Sequence, residues 1–137
     1  MYRVKVSVKE SSIEGRGVFA EQNIKPEEIV WVFDRHHDKT ITKSDFEELS
    51  PEEKHRLERV AYLSPWSGLW VYPPKGDAAE YTNHSESNNL SVKFDKSVSI
   101  EPYFVANRNI QLGEELTNNY HEFDHMTQTQ KPHWARQ

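Results

Sequence analysis

The N-terminal part of the chain alternates apolar and polar residues. Valines occupy every second position from Val4 to Val8, and the positions between them are polar. This period of two predicts a strand with one face buried. Residues 29–33 form a short apolar run rich in β-branched side chains, which predicts a second, buried strand. Strand-like composition returns in three further segments, residues 69–72, 90–94 and 97–107.

Residues 42–62 are a segment of helical character. Ser50, Pro51 and Glu53 form a helix start signal, with Ser as N-cap, Pro as first helical residue and Glu closing a capping box. We expect this helix to extend to about Tyr62, with an inner face formed by Leu57, Val60 and Ala61. The sequence Pro-Pro-Lys-Gly at residues 73–76 predicts a loop.

Two segments of the chain resemble each other. Residues 20–28 and 106–114 share the same succession of a strand-like Ala, a polar turn with Asn-Ile, and a final Glu. We expect these segments to form two similar hairpins in different sheets. The similarity is too short to indicate a solenoid. Together these patterns predict a mainly β (α+β) domain of several small sheets with one helical insertion.

Composition narrows the class of protein. A chain of 137 residues has room for one domain, and its 12% of aromatic residues can fill a small core because each ring buries a large area. Cysteine is absent, which excludes disulfides and thiolate zinc sites. No window approaches the roughly 18 apolar residues of a membrane span, and the N-terminus lacks an apolar signal region. We therefore expect a cytoplasmic, intracellular protein, and a nuclear location stays open.

The charge balance bears on the partners. A net charge of -5 argues against nucleic acid as the main partner. It would suit a basic peptide substrate, although an ordinary soluble surface explains it more simply.

Three short segments are candidates for chemistry. They are Gly15-Arg16-Gly17, Asn83-His84-Ser85 with Asn89 closing the stretch, and Gly113-Glu-Glu-Leu-Thr-Asn-Asn-Tyr120. A Gly-x-Gly turn lets the backbone approach a ligand closely. In this order and at this spacing, the three segments resemble the signature motifs of the SET domain, the fold of S-adenosylmethionine-dependent protein lysine methyltransferases. The resemblance covers about residues 5–123.

The resemblance implies a fold and an activity. The fold is a β-clip of small sheets, in which the segment 83–89 threads under a loop near the C-terminus to form a pseudoknot. The SET domain would span residues 1–125 with a helical insert at about 43–62, followed by a C-terminal tail at 126–137. The implied activity is methyl transfer from S-adenosylmethionine to the side-chain amine of a lysine in a protein substrate.

The resemblance also implies site residues. Tyr120 matches the family's catalytic Tyr, whose hydroxyl aligns the methyl group and the amine. The implied cofactor contacts are Gly15, Arg16, Gly17, Tyr62, Asn83, His84, Tyr120 and Phe123. The implied lining of the lysine channel is Tyr103, Phe104 and Asn118. Structural explanations compete for several of them, because a plain hairpin turn accounts for the glycines and core packing accounts for the aromatic residues.

This chain departs from the family pattern at two places. Asn118 and Asn119 stand where the family commonly has Phe-Asp, and Asn118 occupies the position that often tunes how many methyl groups are added. The cysteines that bind zinc in the family's post-SET module are absent. Closure of the cofactor pocket must then come from side-chain packing, for which Phe123 and Trp134 are the available rings after Tyr120.

Two alternatives of other classes remain at this stage. The first is a SET-fold module that binds cofactor or peptide but is weakly active or inactive, a possibility that Asn118 and Asn119 keep open. The second is a metal-dependent hydrolase built on His121 and His125 or on His36-His37-Asp38. A solvated tail explains the first pair better, so we expect no metal site. The substrate protein, the number of methyl groups and the oligomeric state are open.

Overall fold

The computed structural model describes residues 1–124, which form three small β-sheets, two short helices and two 3-10 turns. The strands are β1 Val6–Glu10, β2 Arg16–Ala20, β3 Ile29–Trp31, β4 Lys39–Ile41, β5 Tyr62–Leu63, β6 Trp70–Tyr72, β7 Asn83–His84, β8 Leu90–Lys93, β9 Tyr103–Ala106 and β10 Glu115–Asn118. The helices are α1 Lys43–Glu47 and α2 Pro51–Val60, and the 3-10 turns are Ala78–Tyr81 and Tyr120–Glu122. Within the described part of the chain, neither helix has the length and apolarity needed to cross a membrane.

The four-stranded sheet brings the three sequence motifs together. Its strand order is β1-β2-β10-β7. The hairpin of β1 and β2 confirms the predicted first strand, although this strand starts at Val6 and not at Val4. β10 pairs antiparallel with β2 and parallel with β7, so the second and third motifs lie side by side. Parallel pairing of such short strands is held by long-range contacts and could not be foreseen from local patterns.

The segment 83–89 contacts β10 at both of its ends. Beyond β7, the Asn89 side chain makes hydrogen bonds to the β10 backbone like those of a neighbouring strand. Its Nδ2 donates to the Glu115 carbonyl (2.8 Å), and its Oδ1 accepts from the Thr117 N–H (2.9 Å). Asn89 is buried, so these bonds satisfy an amide that would otherwise be costly to bury. This course is the one expected for the threaded segment of a SET fold.

The two other sheets complete the core. Their strand orders are β3-β9-β8 and β4-β6-β5. The predicted strand 97–107 is confirmed only at Tyr103–Ala106, because Asp95 accepts hydrogen bonds from the Ser97 N–H (3.0 Å) and hydroxyl (2.6 Å) and forms a turn there. The central core joins the faces of the first two sheets through buried residues that include Val18, Val30, Leu90, Phe104, Ile110 and Leu116.

The helical segment is split into two helices. The start signal is confirmed, since Ser50 Oγ accepts from the Glu53 N–H at 3.2 Å. The expected end at Tyr62 is wrong, because α2 ends at Val60 and Ala61 has extended backbone angles. Tyr62 belongs to β5 and pairs with Val71 of β6. α1 is a separate helix whose Phe46 stacks on Trp70 with ring centroids 4.5 Å apart. Residues 42–62 therefore attach to the third sheet at two points.

The two similar segments pair with each other. Ile24 and Ile110 exchange both backbone hydrogen bonds (2.8 and 2.9 Å). The bond from the Ala20 N–H to the Glu114 carbonyl (2.9 Å) is matched by the bond from the Ala106 N–H to the Glu28 carbonyl (3.0 Å). The expectation of two hairpins in different sheets is wrong, because each segment runs from one sheet into the other and the pair links both sheets.

Candidate functional site

An apolar cleft lies between the sheets near the end of β10. It encloses about 690 Å³ of empty space, part of it open to solvent. Five predicted site residues line it, namely Tyr62, Phe104, Asn118, Tyr120 and Phe123, together with residues such as Tyr2, Trp31 and Leu90. The structure thus brings the predicted cofactor aromatics Tyr62 and Phe123 to the same cleft as two of the predicted channel residues, Phe104 and Asn118.

A second, polar cleft lies beside it. It has about 1270 Å³ of empty space including open solvent, and its lining contains the predicted residues Gly15, Arg16, Asn83 and Tyr120. Helix α2 adds the basic side chains His55, Arg56 and Arg59. Tyr120 and Thr82 line both clefts, so the two spaces adjoin at these residues.

Tyr120 is oriented by the segment that precedes and includes β7. Its hydroxyl donates to the Thr82 carbonyl (3.0 Å), and its backbone N–H donates to His84 Nδ1 (3.1 Å). The Tyr2 hydroxyl hydrogen-bonds the Thr82 hydroxyl at 2.6 Å. Burial raises the pKa of Tyr120 well above its usual value, and the negative charges of Asp124 and Glu14 act in the same direction. Tyr120 is therefore a neutral phenol at physiological pH.

His84 supports Tyr120 and lines neither cleft. Desolvation is the main cause that lowers the pKa of His84, the neighbouring His121 lowers it further, and Glu86 opposes them. The lowered pKa favours the neutral imidazole, whose Nδ1 can accept the Tyr120 N–H. The ring centroids of His84 and Tyr120 are 5.2 Å apart. The structure thus gives the His84 side chain a positioning contact with Tyr120, whereas the resemblance implied a cofactor contact for this residue.

Asn83 fixes the turn at residues 14–17, which is called the cofactor turn because the family resemblance predicts cofactor contacts for Gly15, Arg16 and Gly17. Its Nδ2 donates to the carbonyls of Glu14 (3.2 Å) and Arg16 (3.1 Å) and to Glu115 Oε2 (2.8 Å). Gly15 has a φ of 46°, in the left-handed region that glycine adopts easily. The first two sequence motifs are therefore in direct contact in the structure.

Glu115 and Ser11 contact the cofactor turn without lining either cleft, and neither was predicted from the sequence. Ser11 Oγ donates to Glu115 Oε1 at 2.7 Å, and the carboxylate lies against Gly17, where an added Cβ would come within 2.1 Å of Glu115 Oε2. Glu115 stands inside the third motif, so its place in that motif was a signal. Nothing in the sequence pointed to Ser11.

Phe123 is the centre of the aromatic wall. Its ring makes edge-to-face contacts with Tyr62 (5.3 Å between centroids), Phe104 (4.8 Å) and Tyr120 (5.8 Å). Asp124 anchors the segment, because its carboxylate accepts from the Leu63 N–H at 3.1 Å. Phe123 is only 4% exposed, so the chain after Tyr120 closes over the core as far as residue 124.

Two buried polar atoms belong to residues of the apolar cleft. The Tyr62 hydroxyl and Asn118 Oδ1 have no hydrogen-bond partner among residues 1–124. Burial raises the pKa of Tyr62, which keeps its hydroxyl protonated as a donor. A buried polar atom without a partner is unfavourable, so a polar ligand group in the cleft would be stabilised there.

The structure does not bring every predicted residue to the site. Tyr103 lines neither cleft, and it packs with Val32 and Val105. The physical reason is strand alternation, since Phe104 points to the opposite face of β9. Gly17 is adjacent to the polar cleft but not part of its lining. Trp134 and His125 lie outside the described residues.

The described part of the chain contains no cluster of side chains that would support the metal hypothesis. Among residues 1–124, no three His, Asp or Glu side chains are grouped as metal ligands. His37 instead pairs with Asp77 (Nε2 to Oδ2, 2.5 Å), and the His121 ring lies 5.8 Å from the His84 ring.

Comparisons with known proteins agree on one family. The SET-domain family model matches residues 15–121. The fold is similar to a chain of the Chaetomium thermophilum Polycomb Repressive Complex 2 bound to GSK126, with 25% identity and a TM-score of 0.67 over 92% of this chain and 17% of that chain. An active Polycomb Repressive Complex 2 in the basal state gives 27% identity and a TM-score of 0.60 over 85% of this chain and 15% of that one.

A smaller protein is similar over nearly its full length. A candidate histone methyltransferase of Plasmodium falciparum is 24% identical, with a TM-score of 0.56 over 85% of this chain and 96% of that chain. By contrast, this chain spans only 15% to 17% of the length of the Polycomb chains. A search of curated proteins finds no match.

Proposed function

The chain belongs to the SET-domain family, and from this premise we propose that it transfers a methyl group from S-adenosylmethionine to the side-chain amine of a lysine in a protein substrate. The observation that supports this proposal most is the position of Tyr120. It lines both the polar and the apolar cleft, where a group held in one could meet an amine that enters through the other.

The polar cleft fits the cofactor by the chemistry of its lining. S-adenosylmethionine has an amino-acid end with a carboxylate, and guanidinium groups bind carboxylates through paired hydrogen bonds. Arg16, Arg56 and Arg59 line this cleft together with Glu14, Glu52 and Glu80, and Arg56 pairs with Glu80 at 3.3 Å. The backbone of Gly15 and the turn held by Asn83 complete the predicted contacts. When bound, the cofactor would supply a sulfonium-bound methyl group whose carbon–sulfur bond breaks as an amine nitrogen bonds to the methyl carbon, with S-adenosylhomocysteine as the leaving group.

The apolar cleft suits the lysine side chain. Tyr62, Phe104 and Phe123 form an aromatic wall of this cleft, and a lysine side chain that packs against it is removed from water. Removal from water disfavours the charged ammonium and so lowers the pKa of a lysine that enters. A neutral amine has the lone pair that the displacement requires. The walls of the cleft thereby contribute to deprotonation without a side-chain base.

Tyr120 acts in this proposal as a neutral, oriented phenol. Its O–H donates to the Thr82 carbonyl at 3.0 Å, which fixes the orientation of the phenol at the junction of the two clefts. The raised pKa of Tyr120 argues against a phenolate that would act as a base. Its oxygen would instead align the amine with the methyl group and stabilise positive charge in the transition state.

Asn118 is assigned to the amine end of the apolar cleft. Its buried Oδ1 can accept one N–H of the substrate amine, and this bond would oppose the rotation needed to add further methyl groups. The substrate itself is proposed to be a basic protein, because the chain has a net charge of -5 and the named relative is a candidate histone methyltransferase.

The second candidate is a SET-fold module that binds cofactor or peptide without turnover. The two Asn residues that suggested it have distinct structural positions. Asn119 Oδ1 accepts from the His121 N–H at 3.0 Å as the cap of the 3-10 turn Tyr120–Glu122. An Asn serves as such a cap as well as an Asp does. Only Asn118, in the cleft, therefore favours the second candidate.

Labelling with a radioactive methyl group tests both. The full chain is incubated with methyl-labelled S-adenosylmethionine and a cell lysate, and labelled lysines are identified by mass spectrometry. We expect labelled lysine in at least one protein and none with Tyr120→Phe. Binding of S-adenosylhomocysteine without any labelled protein would favour the binding module, and absence of both would contradict the family-based function.

A further inference from the structure

Glu115 contacts the other two motifs from inside the third, and we propose that it is the positioning residue for the cofactor turn. The proposal rests on the assignment of the polar cleft to the cofactor. Glu115 lines neither cleft, so it would act through the residues it holds and not by contact with a ligand. It would decide how often the turn has the binding-competent shape.

The carboxylate of Glu115 accepts hydrogen bonds from two sides. Ser11 Oγ lies 2.7 Å from Oε1 and 3.0 Å from Oε2, and Asn83 Nδ2 lies 2.8 Å from Oε2. Hydrogen bonds to a charged acceptor are stronger than those between neutral groups. Ser11 precedes the cofactor turn and Asn83 belongs to β7, so one carboxylate connects segments that are far apart in the sequence.

The bond to Asn83 reaches the cofactor turn itself. The same Nδ2 that donates to Glu115 also donates to the carbonyls of Glu14 and Arg16. A carboxamide has only two N–H groups, so these three acceptors share them. Glu115 is the only charged acceptor of the three, and its contact sets the plane in which the amide meets the two carbonyls. Without it, the amide could rotate away from the turn.

Gly17 gives independent support for this arrangement. A Cβ at this position would lie 2.1 Å from Glu115 Oε2 and 2.7 Å from its Cδ. These distances are far below contact distance, so any side chain at position 17 would displace the carboxylate. The second glycine of the Gly-x-Gly turn is thus explained by the Glu115 carboxylate that packs on it. Gly15 differs, because nothing lies within 4 Å of its Cβ position and only its φ requires glycine.

The attachment of Glu115 to β10 places the catalytic Tyr on the same element. β10 is hydrogen-bonded to β2 on one side and β7 on the other, and it leads directly into Tyr120. Glu115 therefore fixes the cofactor turn relative to the strand that presents the Tyr120 hydroxyl. A turn that is only partly in the competent shape reduces the apparent affinity by the same fraction.

The test uses the full chain with S-adenosylhomocysteine as the probe. Glu115→Met keeps the length of the side chain and removes both acceptor oxygens, whereas Glu115→Gln can turn its one carbonyl to Asn83. Glu114→Met is the matched control, because the neighbouring Glu114 pairs with Arg108 at 2.9 Å and with the Gln111 N–H at 3.0 Å, away from the turn. Calorimetry gives the Kd, and hydrogen–deuterium exchange reports on residues 11–17.

We expect Glu115→Met to raise the Kd about tenfold, Glu115→Gln to have an intermediate effect and Glu114→Met to leave it unchanged. Exchange at residues 11–17 should increase in the same order. In the labelling assay, excess S-adenosylmethionine should restore the Glu115→Met rate, since positioning affects KM and not kcat. Wild-type affinity and unchanged exchange in Glu115→Met would overturn the proposal.

The failure of the two proposals can be told apart. If the wild-type chain does not bind S-adenosylhomocysteine, the assigned function of the polar cleft is wrong, while the exchange data still decide whether Glu115 orders the turn. If Glu115→Met does not fold, Ser11→Ala removes the opposite donor and should raise the Kd severalfold. A merely structural role would lower Tm in these variants without a change in Kd, and that result would also overturn the proposal.

Discussion

Tyr120 owes its orientation to residues far from it in sequence. Thr82 holds its hydroxyl and His84 its backbone N–H, and Phe123 covers its ring from the side. These contacts hold the residue at its hydroxyl and at its backbone, so the phenol oxygen is fixed at the junction of the two clefts. In the proposed reaction this oxygen aligns two reactants, and support of this kind matters there because small displacements cost large factors in rate.

The first prediction concerns the hydroxyl of Tyr120. Tyr120→Phe should lower the methylation rate about a hundredfold or more, because it removes one polar contact made in the transition state. Fold and affinity for S-adenosylhomocysteine should persist, since the ring and its contact with Phe123 remain. The measurements are the initial rate of methyl transfer, calorimetry and thermal unfolding.

Tyr103→Phe is the matched control for this prediction. It deletes a hydroxyl from a buried Tyr that lines neither cleft, and it should leave the rate within twofold. Equal rate losses in the two variants would show that Tyr120 has no special role and that the packing of β9 matters instead.

The second prediction is a loss of stability in mild acid that depends on His84. Its pKa in the folded chain is lowered by desolvation and by His121, whereas in the unfolded chain it has the usual value of about 6.5. The unfolded chain therefore binds the proton more readily. The contribution of neutral His84 is complete above about pH 6.5 and is lost as pH falls from there toward the lowered folded pKa.

His84→Asn should remove this part of the pH dependence. Asn keeps a side-chain acceptor for the Tyr120 N–H but does not titrate in this range. Free energies of unfolding, measured in urea between pH 5 and 8, should fall less steeply with acid in His84→Asn than in the wild type. His36→Asn, at an exposed histidine, should keep the wild-type slope. Identical slopes in all three proteins would rule out the role of His84.

At the scale of elements, the sequence predicted what depends on neighbours along the chain. The start of α2 was correct because its cap is a contact between Ser50 and Glu53, three residues apart. The end of α2 was wrong because Tyr62 is taken up by pairing with Val71 in β6. The face of β9 was likewise decided by packing, which turned Phe104 to the cleft and Tyr103 away from it.

The candidate site residues also fall into two groups, those predicted from motifs and those brought together only by the fold. Motif resemblance assigned Gly15, Asn83 and Tyr120 to one site, and in the structure all three line one cleft. Ser11 was missed because its partner Glu115 lies on β10, and no local pattern links a serine before a turn to a strand so far along the chain. Pairings of this kind are specified by the whole fold.

The paired segments 20–28 and 106–114 lead to the third prediction. Equivalent positions, Glu27 and Gly113, both have positive φ, of 69° and 96°. Gly113→Ala should lower the free energy of unfolding by about 1 kcal/mol, purely for conformational reasons, because an added Cβ meets no atom within 4 Å. Glu27→Asn should raise it by a few tenths of a kcal/mol, since Asn tolerates this region better.

Glu27→Ala is the control for the second of these changes. It removes the 3.9 Å pairing of Glu27 with Lys93, in which both side chains are well exposed and which contributes little, but it retains the unfavourable φ. Urea unfolding should rank Asn above Ala at position 27. A destabilised Glu27→Asn with Gly113→Ala unchanged would show that the equivalence of the two positions has no energetic meaning.

At the scale of the whole molecule, the polar cleft is lined by elements that are far apart in the sequence. The cofactor turn, helix α2, the 3-10 turn Ala78–Tyr81, Asn83 and Tyr120 each supply part of its lining. No single element could form the cleft alone. Ligand binding should therefore be linked to global unfolding and not to the opening of one local segment.

The last prediction follows from this linkage. S-adenosylhomocysteine at one hundred times its Kd should raise the free energy of unfolding by about 2.7 kcal/mol, and Tm by several degrees for a domain of this size. Because all wall elements must be in place, protection from hydrogen exchange should increase together in the cofactor turn, in α2 and around Tyr120. Adenosine at the same concentration lacks the amino-acid end that Arg16, Arg56 and Arg59 would bind, and should stabilise the chain much less. If millimolar S-adenosylhomocysteine changed neither Tm nor exchange, the polar cleft would have to serve another ligand.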